Sequence, residues 1–477
     1  MIRPSRRLVI VVRADPVICG HSGEARNLAE VALTRGFSDV RLLTWPIPTL
    51  QAAGLPLKPL DRLLPYSPGI SVERPEAVGD YRVPDGRHLA GLTGRLVELL
   101  ADQVPTTCLS MYLVPHTTVV QDAVRAARAA GFAPDVHTVA KAVGSDVTNV
   151  IRSCLRDGRL GAATVLFTTF LANDEVVAVS EYTREEIVAS AEQVDARCGT
   201  SFAEQCRRRV TVSYPPIDAS AYLDPDPAAV DAALAHRGLR RGGYLLFLSR
   251  VARAKGIYDL VIAYGQMRCR DQVRLIVAGT GPALEHVRAL SVEDDRITFL
   301  TDVDDREKPL LMAGCAAYVL PTKPEPDFIE TFGIALTEKM LAGGGPVVTT
   351  LTGGTGEAVG DTAVIVEPGD ITALADTVDR VVLDMPEADK RDLAQRARAW
   401  AMQFDRGTVF DSLFPATPSS AAATPSSAAV VVPPVTVPPV ASVGPVASVA
   451  SVAPVAVIPP MAPITPITPA APTTAAG

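Results

Sequence analysis

The chain lacks any pair of cysteines at metal-holding spacing. Its seven cysteines (Cys19, Cys108, Cys154, Cys198, Cys206, Cys269, Cys315) are scattered over 477 residues without a single CxxC. That argues against a zinc ribbon and against a disulfide framework, and it suits a reducing, cytoplasmic setting. No stretch of eighteen or more apolar residues is free of charge and proline, so no membrane-spanning helix is expected. The opening "MIRPSRRLVIVVRAD" has basic residues before an apolar run, but that run covers only 8–12 and no small-residue cleavage site follows. It reads as a first buried strand rather than a signal peptide. Excess positive charge is also missing: the formal net charge is −8, which offers no general attraction to nucleic acid or acidic membranes. An anionic ligand would need a local basic site. Lysine is scarce, with seven against thirty-eight arginines, so each lysine stands out.

What the chain does have is length for more than one hydrophobic core and an α/β rhythm. Short apolar runs alternate with longer helix-patterned segments, the mark of parallel sheets covered by helices. Strands are expected at 8–12, 40–45, 106–114 and 175–180, with helices at 23–36, 88–103, 118–131 and 181–194. The proline-rich 46–69 reads as an irregular excursion. The rhythm restarts at "GGYLLFLSR" (242–250) and runs through strands at 273–279, 316–322, 346–350 and 362–367. Two Rossmann-like domains follow, 1–238 and 239–402, with 403–414 ending a helical segment that packs back on the first domain. From about 415 charge and aromatics vanish and proline recurs too often for helix or central strand, so 415–477 is expected to be a disordered tail.

Chemistry-bearing residues cluster in the second block. Arg250 and Lys255 follow a buried strand, where ligands of open α/β sheets collect, and two cations there suit a diphosphate. Taken alone they read more simply as surface cations. The loop "GTGP" after "LIVA" lacks the third glycine of a dinucleotide fingerprint and fits a tight turn. Asp302 and Asp304 have the spacing of a magnesium pair, but turn and helix-cap roles explain them better. In "IETFGIALTEKMLAGGG" Glu330 precedes a helix and Glu338 lies about a turn inside it. The amides of Phe332, Gly333 and Ile334 would then point out of the helix start, where an anion is favoured and glycine permits close approach. A phosphate flanked by two carboxylates that accept from hydroxyls describes a nucleotide sugar.

Residues from about 175 to 400 resemble the retaining glycosyltransferases of family four, which have the GT-B fold. The matching pieces are "VVAVSEYTREEIV", "VTVSYPPIDASAY", "LSRVARAKG", "LIVAGTGP", "AAYVLPT", "ETFGIALTE", "LAGGGPVV" and "TGGTGEAV". The resemblance implies two Rossmann-like domains facing across a cleft. It implies that Arg250 and Lys255 bind the donor diphosphate, that Glu330 contacts the transferred sugar and Glu338 the ribose, and that Thr331, Phe332, Gly333 and Ile334 lie near sugar and phosphate. The N-terminal half is less similar. "CGHSGEARNLAEVA" is similar to the family's glycine-rich first loop, which implies that Gly20 and Gly23 approach the donor phosphates or the acceptor. In "VHTVAKAVGSDVTNV" Val143 stands where the family has an active-site histidine, leaving His116 or His137 as substitutes, with Asp146 nearby.

The expected function is retaining transfer of a hexosyl group from a nucleoside diphosphate sugar to a hydroxyl acceptor, a small molecule or sugar phosphate, with no cofactor or metal. A non-catalytic nucleotide-sugar-binding scaffold with a degenerate acceptor half is the alternative from another class. A dinucleotide-dependent oxidoreductase is the weakest rival.

Overall fold

The computed structural model describes residues 6–76, 89–132, 134–326 and 328–415. Two all-parallel sheets carry the chain. The first has seven strands: β1 (Arg7–Val11), β2 (Asp39–Leu43), β3 (Ile70–Glu73), β4 (Thr106–Met111), β5 (Val136–Ala142), β6 (Glu175–Ala178) and β7 (Val210–Val212), ordered 3-2-1-4-5-6-7. The second has six: β8 (Tyr244–Leu248), β9 (Arg274–Ala278), β10 (Ile297–Leu300), β11 (Ala317–Leu320), β12 (Val347–Thr349) and β13 (Val364–Ile365), ordered 10-9-8-11-12-13. Continuous apolar runs make the central strands. Leu8 to Val12 and Tyr244 to Phe247 are fully shielded from water, as strands covered by helices on both faces must be.

Both strand orders reverse once beside their first strand, between β1 and β4 and between β8 and β11. Such a reversal opens a crevice at the carboxyl ends of the strands, where α/β sheets bind ligands. Two crevices of this kind, one per sheet, are therefore built into the fold.

The excursion at 46–69 is less irregular than its prolines suggest. It holds a short helix, Ile47–Ala52, and a 3₁₀ turn, Leu60–Arg62, and it leads into β3, which the sequence pattern does not reveal. β3 has only four residues and none is fully buried, as befits an edge strand. Two further helices that sequence reading passed over, Arg152–Arg156 and Leu160–Leu171, pack under β5 and β6. After the long helix Glu387–Ala401 the chain returns to the first sheet. Helix Arg406–Leu413 places Phe410 and Leu413 in the core with Leu8 and Ile10, and Arg35 forms a two-pronged ion pair with Asp411 at 2.6 and 2.9 Å. The low-complexity tail lies outside the described residues apart from its first residue.

Candidate active site

Lys255 ends a 3₁₀ turn, Arg253–Lys255, just past β8. The next residue, Gly256, has φ +72°, and a Cβ there would lie 1.8 Å from the Pro321 carbonyl oxygen. Glycine is the residue that lets the β8 loop press against the β11 loop. That contact carries Lys255 to Glu330, and the two half-buried side chains form an ion pair in the crevice between β8 and β11. Phe328 completes the corner, its ring centroid 5.1 Å from the Arg250 guanidinium and 5.2 Å from the Lys255 ammonium. Arg250 is exposed and has no carboxylate partner among the described residues. The glycines of the "GTGP" turn act as packing residues. A Cβ on Gly279 or Gly281 would strike the carbonyl of Ser249 or Val251, so they let β9 abut the loop that holds Arg250.

Gly333, with φ +107°, starts the helix Ile334–Ala342. Among the described residues the amides of Phe332, Gly333 and Ile334 have no acceptor, so they form an open N-terminus beside the Lys255–Glu330 pair. The "TGGTG" loop braces this start. Gly354 donates its amide to the Glu330 carbonyl at 2.9 Å, and a Cβ on Gly353 or Gly354 would come within 2.1 Å of the Glu330 or Thr331 carbonyl oxygen. Glu338, inside the helix, has separate partners. Its Oε1 accepts from the Tyr222 hydroxyl at 2.6 Å and from Lys308 Nζ at 2.7 Å, leaving Oε2 for other donors. Burial and the carboxylate together push the Tyr222 phenol far above its ordinary pKa, so it remains a donor. Asp305 lies close by. Burial would raise its pKa, but Lys58 and Lys308 hold it below the usual value.

The first sheet meets this corner at two glycines. A Cβ on Gly20 would lie 3.1 Å from Ile334 Cδ1, and one on Gly144 (φ +104°) only 2.2 Å from Thr331 Oγ1. Gly20 and the "VGSD" segment thus close directly over the helix start. Gly23 is exposed, with nothing within 4 Å of its would-be Cβ, and makes no such approach. Lys58, from the proline-rich excursion, also reaches across, to Asp305 at 2.7 Å and back to Asp15 at 3.4 Å. Glu357 caps the helix Glu181–Cys198, accepting from the amides of Glu181 and Tyr182 at 2.8 and 2.9 Å.

The three acid–base candidates of the first half are all otherwise engaged. His137 stands near the beginning of β5, the end away from the crevice, where Nε2 meets Glu175 at 2.9 Å. With about 3.3 Å per residue, most of a seven-residue strand separates it from the β5 loop at Gly144. His116 is buried. Nδ1–H donates to the Met111 carbonyl at 2.6 Å and Nε2 accepts from the Trp45 indole at 3.3 Å, so both ring nitrogens are used. Burial lowers its pKa to about 4. Asp146 turns inward and accepts from the amides of Leu113, Val143, Gly144 and Val147 at 2.9–3.2 Å, tying the β4 and β5 loops together. Burial raises its pKa to about 6, against the pull of those amides. Asp302 pairs with Arg237, and Asp304 accepts from the amides of Arg306 and Glu307 at the start of a helix, so neither is arranged for a metal. Among the described residues no three His, Cys, Asp or Glu side chains converge as a metal site.

Other groups line the β1/β4 crevice that sequence reading did not single out. Tyr112, at the end of β4, has φ +85°, a conformation that bulky residues adopt only under constraint. Its ring lies 5.3 Å from the Arg13 guanidinium and 5.8 Å from the His21 ring, and Arg13 Nε donates to His21 Nε2 at 3.3 Å. Burial and the nearby Arg13 hold His21 well below its ordinary pKa, so its nitrogen stays an acceptor. The neighbouring acids are already answered: Asp15 by Arg26 and Lys58, Glu24 by the fully buried Lys141 at 2.9 Å. Arg13 has no carboxylate partner among the described residues. Lys308 and Lys141 stand out in the sequence only in the way every lysine of this arginine-rich chain does. Nothing local in the sequence pointed to Arg13 or Tyr112.

Residues 242–384 match the family described as glycosyl transferases group 1. The chain is 32% identical over 160 residues to the N-acetyl-alpha-D-glucosaminyl L-malate synthase of Bacillus anthracis, covering 32% of this chain and 39% of that protein. It is 34% identical over 171 residues to a glycogen synthase of Mycobacterium tuberculosis, covering 35% and 40%. The matched stretches therefore span about two fifths of these relatives. Over 85% of this chain and 98% of the other, the fold superposes on Anabaena HepE, solved in complex with UDP and glucose, with a TM-score of 0.61 at 19% identity. The architecture is GT-B, and the segment that matches the group 1 glycosyltransferases is the one that carries Lys255, Glu330 and Glu338.

Proposed function

We propose that this chain is a retaining glycosyltransferase of family four that moves a hexosyl group from a nucleoside diphosphate sugar to a hydroxyl acceptor. The observation that carries the reading is the Lys255–Glu330 pair set beside the open amides of Phe332, Gly333 and Ile334. One end of that corner suits a diphosphate, the other a sugar hydroxyl, and Glu338 with its free oxygen suits the diol of a ribose. Arg250, Lys255 and the helix start would stabilise the charge that develops on the leaving phosphate, without a metal. His116 and Asp146 are consumed by internal hydrogen bonds and His137 stands at the wrong end of its strand. In this reading no side chain acts as general base, and an oxygen of the departing phosphate takes the acceptor's proton on the face where the new bond forms.

The unanswered charge of Arg13, braced by Tyr112 and His21, favours an acceptor that carries a carboxylate or phosphate. The Bacillus relative is, by its name, the synthase of a glucosaminyl L-malate, an acid. A thermal-shift screen of nucleoside diphosphate sugars, followed by transfer assays with neutral and acidic acceptors, tests the proposal. Stabilisation by one such donor and transfer to an acceptor is expected. Stabilisation without turnover for any acceptor would favour a nucleotide-sugar-binding scaffold, and a response to NAD alone would overturn both.

A further inference from the structure

A cavity of about 610 Å³ lies at the other end of the second sheet, where the strands begin. Gly242, Val273, Ala316 and Gly345, each just ahead of a strand, line one side, and the helix Glu387–Ala401 covers the other. Its volume falls in the range that holds small ligands. Lys255 and Glu330 follow the opposite strand ends, so this is not part of the transfer cleft.

The charge of the cavity runs against that of the protein. In a chain of net charge −8, its lining contains Arg240, Lys390, Arg391 and Arg398 but a single acid, Glu387. Lys390 answers Glu387 at 2.8 Å, and Arg398 is paired with Asp224 at 2.7 Å. Arg240 and Arg391 have no carboxylate partner among the described residues, Arg391 donating only to the Glu387 carbonyl at 3.2 Å. Directly beneath the glycine floor lies another cation. Lys339 is 1% exposed, and among the described residues its ammonium donates only to the carbonyls of Gly343 and Gly345. Burial lowers its pKa, the Cys315 sulfur opposes that, and Arg398 pushes in the same direction as burial. A buried cation without a counter-charge is costly to a fold. The floor itself is bare backbone. A Cβ on Gly344 would meet the Ala313 carbonyl oxygen at 2.4 Å and one on Gly345 the Ala316 oxygen at 1.9 Å, so only glycine lets the loop lie flat here.

We propose that this cavity is a second ligand site, for a phosphorylated small molecule bearing at least two negative charges, held by Arg240 and Arg391 over the Gly343–Gly345 floor. The anion supplies the counter-charge that Arg240, Arg391 and Lys339 lack. The proposal is independent of the donor chemistry. Its test is calorimetric titration of the full chain with inorganic pyrophosphate and with glucose 6-phosphate, in a Lys255→Ala background that weakens phosphate binding in the cleft. At least one probe is expected to bind, with its affinity lowered about tenfold or more in an added Arg240→Gln/Arg391→Gln pair. A charge-matched control, Arg125→Gln/Arg156→Gln, removes two arginines whose side chains are 75% and 65% exposed and should leave affinity unchanged. The proposal is overturned if neither probe binds, if the cavity pair binds as tightly as its parent, or if the control loses as much affinity.

Discussion

The rims of the two sheets have the same topology but treat their polar groups in opposite ways. At the second rim, charged groups are held near their work and left open among the described residues: Glu338 keeps one oxygen uncommitted, Arg250 has no carboxylate partner, and the helix start at Gly333 has unused amides. At the first rim nearly every ionisable group is used up inside the protein. Asp146 holds two loops, His116 bridges Trp45 and Met111, and Glu24 is buried against Lys141. Arg13, bonded to His21 and facing Tyr112, keeps a charge that no carboxylate among the described residues answers. The lesson is that a rim's chemistry follows from which of its groups the fold leaves unsatisfied. In the reading proposed here, the second rim handles the reacting phosphate and the first mainly positions an acceptor.

The widest break in that contrast should come from Lys255→Ala. Transfer is expected to fall on the order of 10²–10³-fold in kcat with the melting temperature little changed, because the lost group is a charge aimed at the leaving phosphate. Near-normal turnover would remove the second rim's special standing. Gly144→Ala attacks the meeting of the two rims instead. It adds a Cβ at φ +104° into the space of Thr331, and a stability loss of ~1–3 kcal/mol with reduced transfer is expected by denaturant titration and assay.

The first rim can be probed by pH. His116 titrates near 4 when folded, below the ordinary 6.5, so its contribution to stability is complete above 6.5 and is lost as pH falls toward 4. By pH 5 the loss is ~2 kcal/mol. Asp146, raised to about 6, works in the opposite direction, gaining stability as its carboxyl protonates, but it does so in parent and variant alike. On going from pH 7.5 to 5, the unfolding free energy of His116→Gln should therefore change by ~2 kcal/mol more in the stabilising direction than that of the parent, and an equal change in both would show that the ring is not held neutral. A smaller effect is expected from Glu338→Gln, a roughly tenfold rise in donor KM with kcat nearly preserved, whereas Glu330→Gln should lower kcat. Smallest of all is His137→Ala, for which kinetics should not move and stability should stay within ~0.5 kcal/mol. Any sizeable loss of transfer there would contradict its position at the far end of β5.

The contrast also explains what could be read beforehand. The second rim was legible because its parts are short contiguous motifs, a strand end plus cations or a glycine before a helix, whose geometry follows from local backbone rules. The partners of Glu338 were not, since Lys308 is 30 residues away and Tyr222 is 116. At the first rim the sequence offers residue types but not whether their lone pairs are spent. Asp146 looks the same whether it faces a substrate or four amides, and His116 gives no sign of Trp45, 71 residues earlier. The place of His137 is legible from the sequence alone. This histidine is the second residue of its strand, and the rule that ligands gather at strand carboxyl ends already spoke against it. β3 escaped notice because a four-residue edge strand has too short a pattern to register.

The scarcity and placement of lysine have a further consequence for how the molecule presents itself to reagents. Lys141 and Lys339 are buried, and the side chains of Lys58, Lys255, Lys308, Lys323 and Lys390 are each between 12% and 28% exposed and engaged with a carboxylate. Nearly all the positive charge that solvent meets is guanidinium. Amine-directed acylation should therefore modify the native protein sparsely and slowly, and the few sites that do react will report on the opening of particular ion pairs rather than on general surface.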